Sequence, residues 1–141
     1  MDKERKMKKV LVISGHTDLN NSVANKTILE RLEKQLPEAE YVYLGKLYSD
    51  FQIDVETEQK RLLNADIIVL QFPVFWYAMP SLLSRWIEEV FQHGFSHGTT
   101  GNKLKDKKLV ASFTTGAPEF MYSYEGAQKS PIEYFLPPIK A

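Results

Sequence analysis

A chain of 141 residues, 43% hydrophobic and 26% charged, is the size of a single domain with a real core. Its 18 basic and 18 acidic side chains cancel, which argues against a dedicated nucleic-acid binder and against an acidic redox shuttle that docks by charge. The absence of cysteine excludes disulfides, thiol nucleophiles and Cys-ligated zinc.

No apolar run approaches the roughly 20 residues that span a bilayer. The opening "MDKERKMKKV" is charged and lacks the apolar core and cleavage site of a signal peptide, so the chain reads as cytoplasmic. Met7 reads as a candidate natural start, with the residues before it as an extension of a single domain over 1–141. Lys9 to Ser14, "KVLVIS", is a continuous apolar run, the pattern of a strand buried on both faces. A polar stretch follows. From Ser22 a helical pattern begins, with Ala24, Ile28, Leu32 and Leu36 at helical spacing until Pro37. "AEYVYL" (39–44) is a second strand, 55–64 a short polar helix, and "ADIIVLQF" (65–72) a third strand. The next helix takes Pro80 in its first turn and carries Leu82, Leu83, Trp86, Ile87, Val90 and Phe91 as one stripe, so that Trp86 reads as core or interface. "KKLVASF" (107–113) is a fourth strand, and 131–141 reads as a helix that meets Pro137 and Pro138. Strands alternating with helices imply parallel strands joined by right-handed crossovers, hence a doubly wound α/β sheet.

In such sheets ligands sit outside the carboxyl ends of the strands. Three loops leave those ends. The first, "SGHTDLNNSVANK" (14–26), runs into a helix N-terminus, a natural place for a phosphate, with His16, Thr17, Asn20, Asn21, Ser22 and Asn25 as further donors. It is neither a dinucleotide fingerprint nor a P-loop, and Ser22 also reads simply as a helix cap. The second, after the third strand, carries Pro73, Val74, Phe75, Trp76 and Tyr77. Such rings can wall a flat cofactor, or they can be core or a subunit interface; Phe75 reads as core or interface. The third, "TTGAPEFMYSYEG" (114–126), opens with two hydroxyls and Gly116, which permits close approach of backbone to a ligand. His93 and His97 are four apart, but Gly94 and Gly98 break the helix and no third ligand is near, so no metal site is expected.

With these loops in place, the sequence resembles the flavodoxin-like NAD(P)H:quinone oxidoreductases, a family that includes animal quinone reductases, modulator-of-drug-activity-B proteins and the ancillary oxidoreductases of potassium-efflux systems. The resemblance rests on "QFPVFWYAMPSLLSRWIEEVF" (71–91), on "GNKLKDKKL" (101–109) and on "TTGAPEFMYSYEG", and runs from Lys9 to Ala141. It implies a flavodoxin-like sheet in the order 2-1-3-4, ending short of the family's fifth strand and following helix.

The resemblance also implies roles. His16, Ser22, Val23 and Asn25 match positions that hold a flavin phosphate. Pro73, Val74, Trp76 and Tyr77 match those that line the flavin ring, and Phe75 stands in the same run. Thr114, Thr115, Gly116 and Ala117 match those at its pyrimidine side. Tyr122 matches a tyrosine that stabilises charge during hydride transfer, and its usual histidine partner is replaced here by Gln128. FMN is the expected cofactor, with FAD open, and NAD(P)H the co-substrate. The implied activity is ping-pong, two-electron reduction of a quinone or similar acceptor by a homodimer. Two alternatives stand beside it: a flavin- or nucleotide-binding regulatory module acting on a membrane transporter, and a flavodoxin-type electron carrier.

Overall fold

The apolar run after Lys9 forms β1 (Val10–Ser14), and three further strands line up beside it: β2 (Glu40–Tyr43), β3 (Ile67–Pro73) and β4 (Lys108–Thr114). All pairings are parallel and the order is β2-β1-β3-β4, as expected for a flavodoxin-like sheet. The computed structural model describes residues 7–75, 78–92, 94–96 and 101–116. Between the strands run α1 (Ala24–Gln35), α2 (Leu44–Leu47), α3 (Val55–Asn64) and α4 (Ser81–Val90). From β1 the chain moves outward to β2, then crosses back to β3. The strand order therefore reverses between β1 and β3, and a crevice opens above their carboxyl ends.

The register explains which faces are dry. Leu11 and Ile13 of β1, Val42 of β2, and Ile68, Leu70 and Phe72 of β3 share a buried cluster with Leu82, Leu83, Trp86 and Val90 of α4. Each such side chain contributes roughly 1.5–3 kcal/mol on leaving water. The alternate residues face α1, whose Leu29 is buried beneath it. On this second face Ser14, Gln71 and Ser112 occupy paired register positions on β1, β3 and β4. In the two central strands, β1 and β3, polar residues thus enter only toward the carboxyl ends.

Several boundaries differ from the sequence reading. α2 is a single turn with no periodicity long enough to betray it. α1 starts at Ala24, with Ser22 outside it, and Pro80 precedes α4 as its N-cap. Thr114 belongs to β4, pairing with Pro73, and is not the first loop residue. Trp86 is wholly buried within its own chain against Phe91, with ring centroids 5.6 Å apart, so it belongs to the core and not to a subunit interface. Among the described residues β4 pairs with β3 alone, and Leu109 and Val110 are partly exposed. The expected helix at 131–141 and the pair His93 and His97 lie outside the described residues.

One buried charge stands under the helices. Glu58 of α3 has no solvent exposure. Its Oε1 accepts from the Tyr48 hydroxyl at 3.0 Å and lies 3.3 Å from Arg61 Nε, while Arg61 also pairs with Glu40. Trp86 Nε1 and Glu58 Oε2, both buried, find no partner of good geometry among the described residues, although the indole still favours the charged carboxylate. Burial outweighs these partners and raises the Glu58 carboxyl above its ordinary 4.5. A raised carboxyl binds more protons folded than unfolded, so its contribution to stability is present in full below about pH 4.5 and falls as pH rises through the folded value. Replacing it by a neutral amide removes that dependence. In chemical denaturation, Glu58→Gln should therefore gain on the wild type as pH is raised from 4 to 7. A difference that stays flat with pH would show that Glu58 does not titrate in this way.

Candidate functional site

The three loops converge because their strands end side by side. At the end of β1 the Gly15 N–H donates to Gln71 O at 2.8 Å, carrying the pairing one residue beyond the strand. A Cβ on Gly15 would lie 2.8 Å from Leu83 Cδ2, so only glycine lets this loop rest on α4. Gly45 has the same function from the other side, where a Cβ would lie 2.7 Å from the carbonyl oxygens of both His16 and Thr17.

Within the loop His16 is oriented from both sides. Its Nδ1 accepts the Asp18 N–H at 2.9 Å, and its ring meets Phe75 edge-on with centroids 5.6 Å apart. Burial lowers the His16 pKa below 6.5, against the opposing pull of Asp18. Near pH 7 the ring is therefore neutral, and with Nδ1 accepting, its proton sits on Nε2. Phe75 is 43% exposed, which removes the core half of the core-or-interface reading. It stands at the mouth of the crevice, in contact with the first loop.

The start of α1 is tied to the sheet. Ser22 Oγ accepts the Asn25 N–H at 3.2 Å and so caps the helix, while the exposed Val23 and Ala24 carry N–H groups with no intrahelical acceptor. Asn25, in the first turn, is buried. Its Nδ2 donates to Thr114 Oγ1 at 3.0 Å and to Ser22 Oγ at 3.3 Å, and its Oδ1 accepts from Gln71 Nε2 at 3.0 Å. One side chain thereby joins the first loop, β3 and the end of β4.

The second and third loops are joined by backbone. Val74 N–H donates to Thr114 O at 2.8 Å, and Phe75 and Ala78 exchange hydrogen bonds of 2.8 and 3.0 Å that fold the aromatic loop back on itself. Among the described residues a Cβ on Gly116 would meet nothing within 4 Å. Of the residues named from the sequence, His16, Ser22, Val23, Asn25, Pro73, Val74, Phe75, Thr114, Thr115 and Gly116 are brought to this one edge. Trp76, Tyr77, Ala117, Tyr122 and Gln128 lie outside the described residues. Sequence reasoning passed over Gln71 as a functional residue. Its signal was present: a single amide inside an otherwise apolar strand.

Beside the first loop is a polar hollow of about 110 Å³ lined by His16, Asp18, Tyr43, Gly45 and Lys46, among others. A larger cavity of about 400 Å³ lies at the opposite, amino end of the strands, around Lys8, Lys9, Glu38 and Arg61. The loop edge is the better candidate, because the unpaired helix N–H groups and oriented hydroxyls are there. No group of three or more potential metal ligands occurs among the described residues, and none of the described helices is long and apolar enough to cross a membrane.

The sequence matches the flavodoxin-like fold family over residues 8–141. It is 39% identical over 132 residues to the uncharacterized NAD(P)H oxidoreductase YrkL of Bacillus subtilis, covering 94% of this chain and 75% of that one. It is 42% identical over 110 residues to the glutathione-regulated potassium-efflux system ancillary protein KefF of an Enterobacter species, covering 78% of this chain and 62% of the relative. Among solved structures, general stress protein 14 of Treponema denticola in complex with FMN superposes with a TM-score of 0.89 at 30% identity, covering 94% and 76% of the two chains. An NADPH-quinone reductase from P. pentosaceus superposes with a TM-score of 0.82 at 26% identity, covering 94% and 74%. By sequence and by fold, the chain belongs to the flavodoxin-like family, whose members similar to it include proteins named NAD(P)H oxidoreductases.

Proposed function

We propose that the chain is a flavin-dependent NAD(P)H dehydrogenase that uses FMN and reduces quinones or similar acceptors by two-electron transfer. The observation that carries this reading is Asn25. From the first turn of α1 it reaches Thr114 at the end of β4 and Gln71 within β3, so the helix N-terminus and the two ring-side loops are held as one edge. The NAD(P)H oxidoreductase relatives and the FMN complex of a structural neighbour support it.

The residues fit FMN by their chemistry. A phosphate needs donors and a positive dipole end, and the start of α1 offers N–H groups at Val23 and Ala24, the Ser22 hydroxyl and His16 Nε2–H. Pro73, Val74 and Phe75, with Trp76 and Tyr77, would wall the ring. Thr114, Thr115 and Gly116, with Ala117, would meet its pyrimidine edge, where donors stabilise negative charge. FMN suffices for these contacts, and FAD is the less favoured choice.

Bound FMN would supply the electron chemistry: a hydride equivalent leaves NAD(P)H, and a quinone takes up two electrons and two protons to give the hydroquinone. The chain's own part is positional. The aromatic loop would keep water from the slot that donor and acceptor would enter in turn, which would give ping-pong kinetics. Tyr122 would hydrogen-bond near the developing charge, Gln128 being the residue that matches the family's histidine. We propose a homodimer in the cytoplasm as the working assembly. A second reading, a flavin-binding regulator of a membrane transporter, is favoured by the similarity to KefF.

Three measurements test the proposal. The purified protein, titrated with FMN, should show the visible absorption of bound flavin and oxidise NAD(P)H with a quinone. Flavin binding without turnover, accompanied by binding to a potassium-efflux transporter, would favour the regulator, and no flavin binding would remove both readings. Gly45→Ala should push the His16 and Thr17 carbonyls outward and raise the FMN dissociation constant about tenfold, roughly 1.4 kcal/mol, in a fluorescence titration. Unchanged affinity would detach the first loop from the site. Tyr122→Phe should slow flavin reduction by NAD(P)H about tenfold in stopped flow while leaving FMN affinity unchanged. An unaltered rate would remove Tyr122 from the mechanism.

A further inference from the structure

Gln71 is a buried amide in the middle of an apolar strand, and the proposed chemistry does not use it. Its Nε2 donates to Asn25 Oδ1 at 3.0 Å, and Gln71 itself has no exposed surface. It cannot touch a ligand. What it can do is set the sense of the hydrogen bonds above it.

The sense matters because a hydroxyl can either donate or accept toward a ligand, while an amide has one end of each kind. Gln71 holds the oxygen end of Asn25 downward. The nitrogen end then points at Thr114 Oγ1, 3.0 Å away, and at Ser22 Oγ, 3.3 Å away. Ser22 Oγ also accepts the Asn25 backbone N–H at 3.2 Å. Both lone pairs of Ser22 are engaged by Asn25, so its proton is left to donate elsewhere. Thr114 Oγ1 likewise accepts from Asn25 and keeps its proton for another acceptor. If the Asn25 amide turned over, its oxygen would draw those protons inward, and the hydroxyls would present lone pairs to the crevice.

We propose that Gln71 is a positioning residue: through Asn25 it fixes a one-way hydrogen-bond relay that keeps Ser22 and Thr114 as donors, selecting ligands rich in acceptors at both ends of the crevice. The inference rests on the flavin reading and deepens it. The ligand class is a phosphorylated flavin, whose phosphate would take the Ser22 proton and whose ring carbonyl would take that of Thr114. The uncommon placement of an amide here follows from this need. Among the described residues Gln71 Oε1 is buried without a partner, an unfavourable feature that an apolar residue would avoid.

The test compares FMN with riboflavin, which lacks the phosphate, so the ratio of their dissociation constants isolates the phosphate end. Gln71→Met keeps the volume and removes the donor. It should reduce the preference for FMN over riboflavin about tenfold, the effect of one lost hydrogen bond to a charged group. Ser22→Ala should lower the ratio similarly in the wild type but add little in the Gln71→Met background, because the relay acts through Ser22. A merely structural role for Gln71 would lower the melting temperature and weaken both flavins together, leaving the ratio unchanged. Additive effects, or an unchanged ratio, overturn the relay. A wild type that binds FMN no better than riboflavin overturns the phosphate reading and the relay with it.

Should Gln71→Met fail to fold, the wild type alone decides. The side-chain amide protons of Gln71 and Asn25 should exchange slowly with solvent in NMR spectra of the flavin-free protein. Exchange at the rate of exposed amides would show that the relay is not fixed.

Discussion

The hydrogen bond from Gln71 Nε2 to Asn25 Oδ1 ties the first turn of a surface helix to the interior of a buried strand, and the geometry of the loop edge depends on it. A parallel sheet packed on both faces leaves little room for polar chemistry within its strands. Polar groups collect where the packing ends, on the α1 face at Ser14, Gln71, Ser112 and Thr114. Asn25 gathers two of these positions, Gln71 and Thr114, with Ser22 into one network. The aromatic loop is then fastened to the end of β4 by a backbone bond from Val74 to Thr114.

Much of this was legible in the sequence, for a physical reason. Strands covered on two faces must be apolar throughout, so "KVLVIS" and "ADIIVLQF" announce themselves, and the stripe on α4 is equally plain. The order of strands follows from a family resemblance more than from any residue pattern, because periodicity says which segments are strands and not which are neighbours. α2 escaped because four residues carry no period, and Thr114 was assigned to a loop because a strand end looks like a loop start.

The site was legible in part for a different reason. Donors near a helix N-terminus are visible as residue types, which brought His16, Ser22 and Asn25 forward. The sequence leaves Phe75 open between core and interface, because an aromatic in an apolar context carries no mark of the direction it faces, and its exposure removes only the first. Gln71 and Glu58 were passed over because their meaning lies in partners far along the chain, Asn25 at 46 residues' separation and Tyr48 at 10. Only the fold brings such partners together. Each carries an unfavourable buried polar atom, Gln71 Oε1 and Glu58 Oε2, which marks places where packing alone did not decide the residue.

The contact between Gly15 and Leu83 has a consequence for how this chain can vary. The missing side chain at 15 and the leucine at 83 share one small volume, since a methyl group at 15 would lie 2.8 Å from Leu83 Cδ2. The two positions, 68 apart in the chain, are therefore not independent letters. Enlargement at 15 is tolerable only alongside reduction at 83: the first alone pries the first loop from the helix that follows the aromatic loop, while the second alone leaves a void. Such a pair is inherited as a unit: drift through sequence space must cross a compensated intermediate, with position 83 shrinking before position 15 can grow.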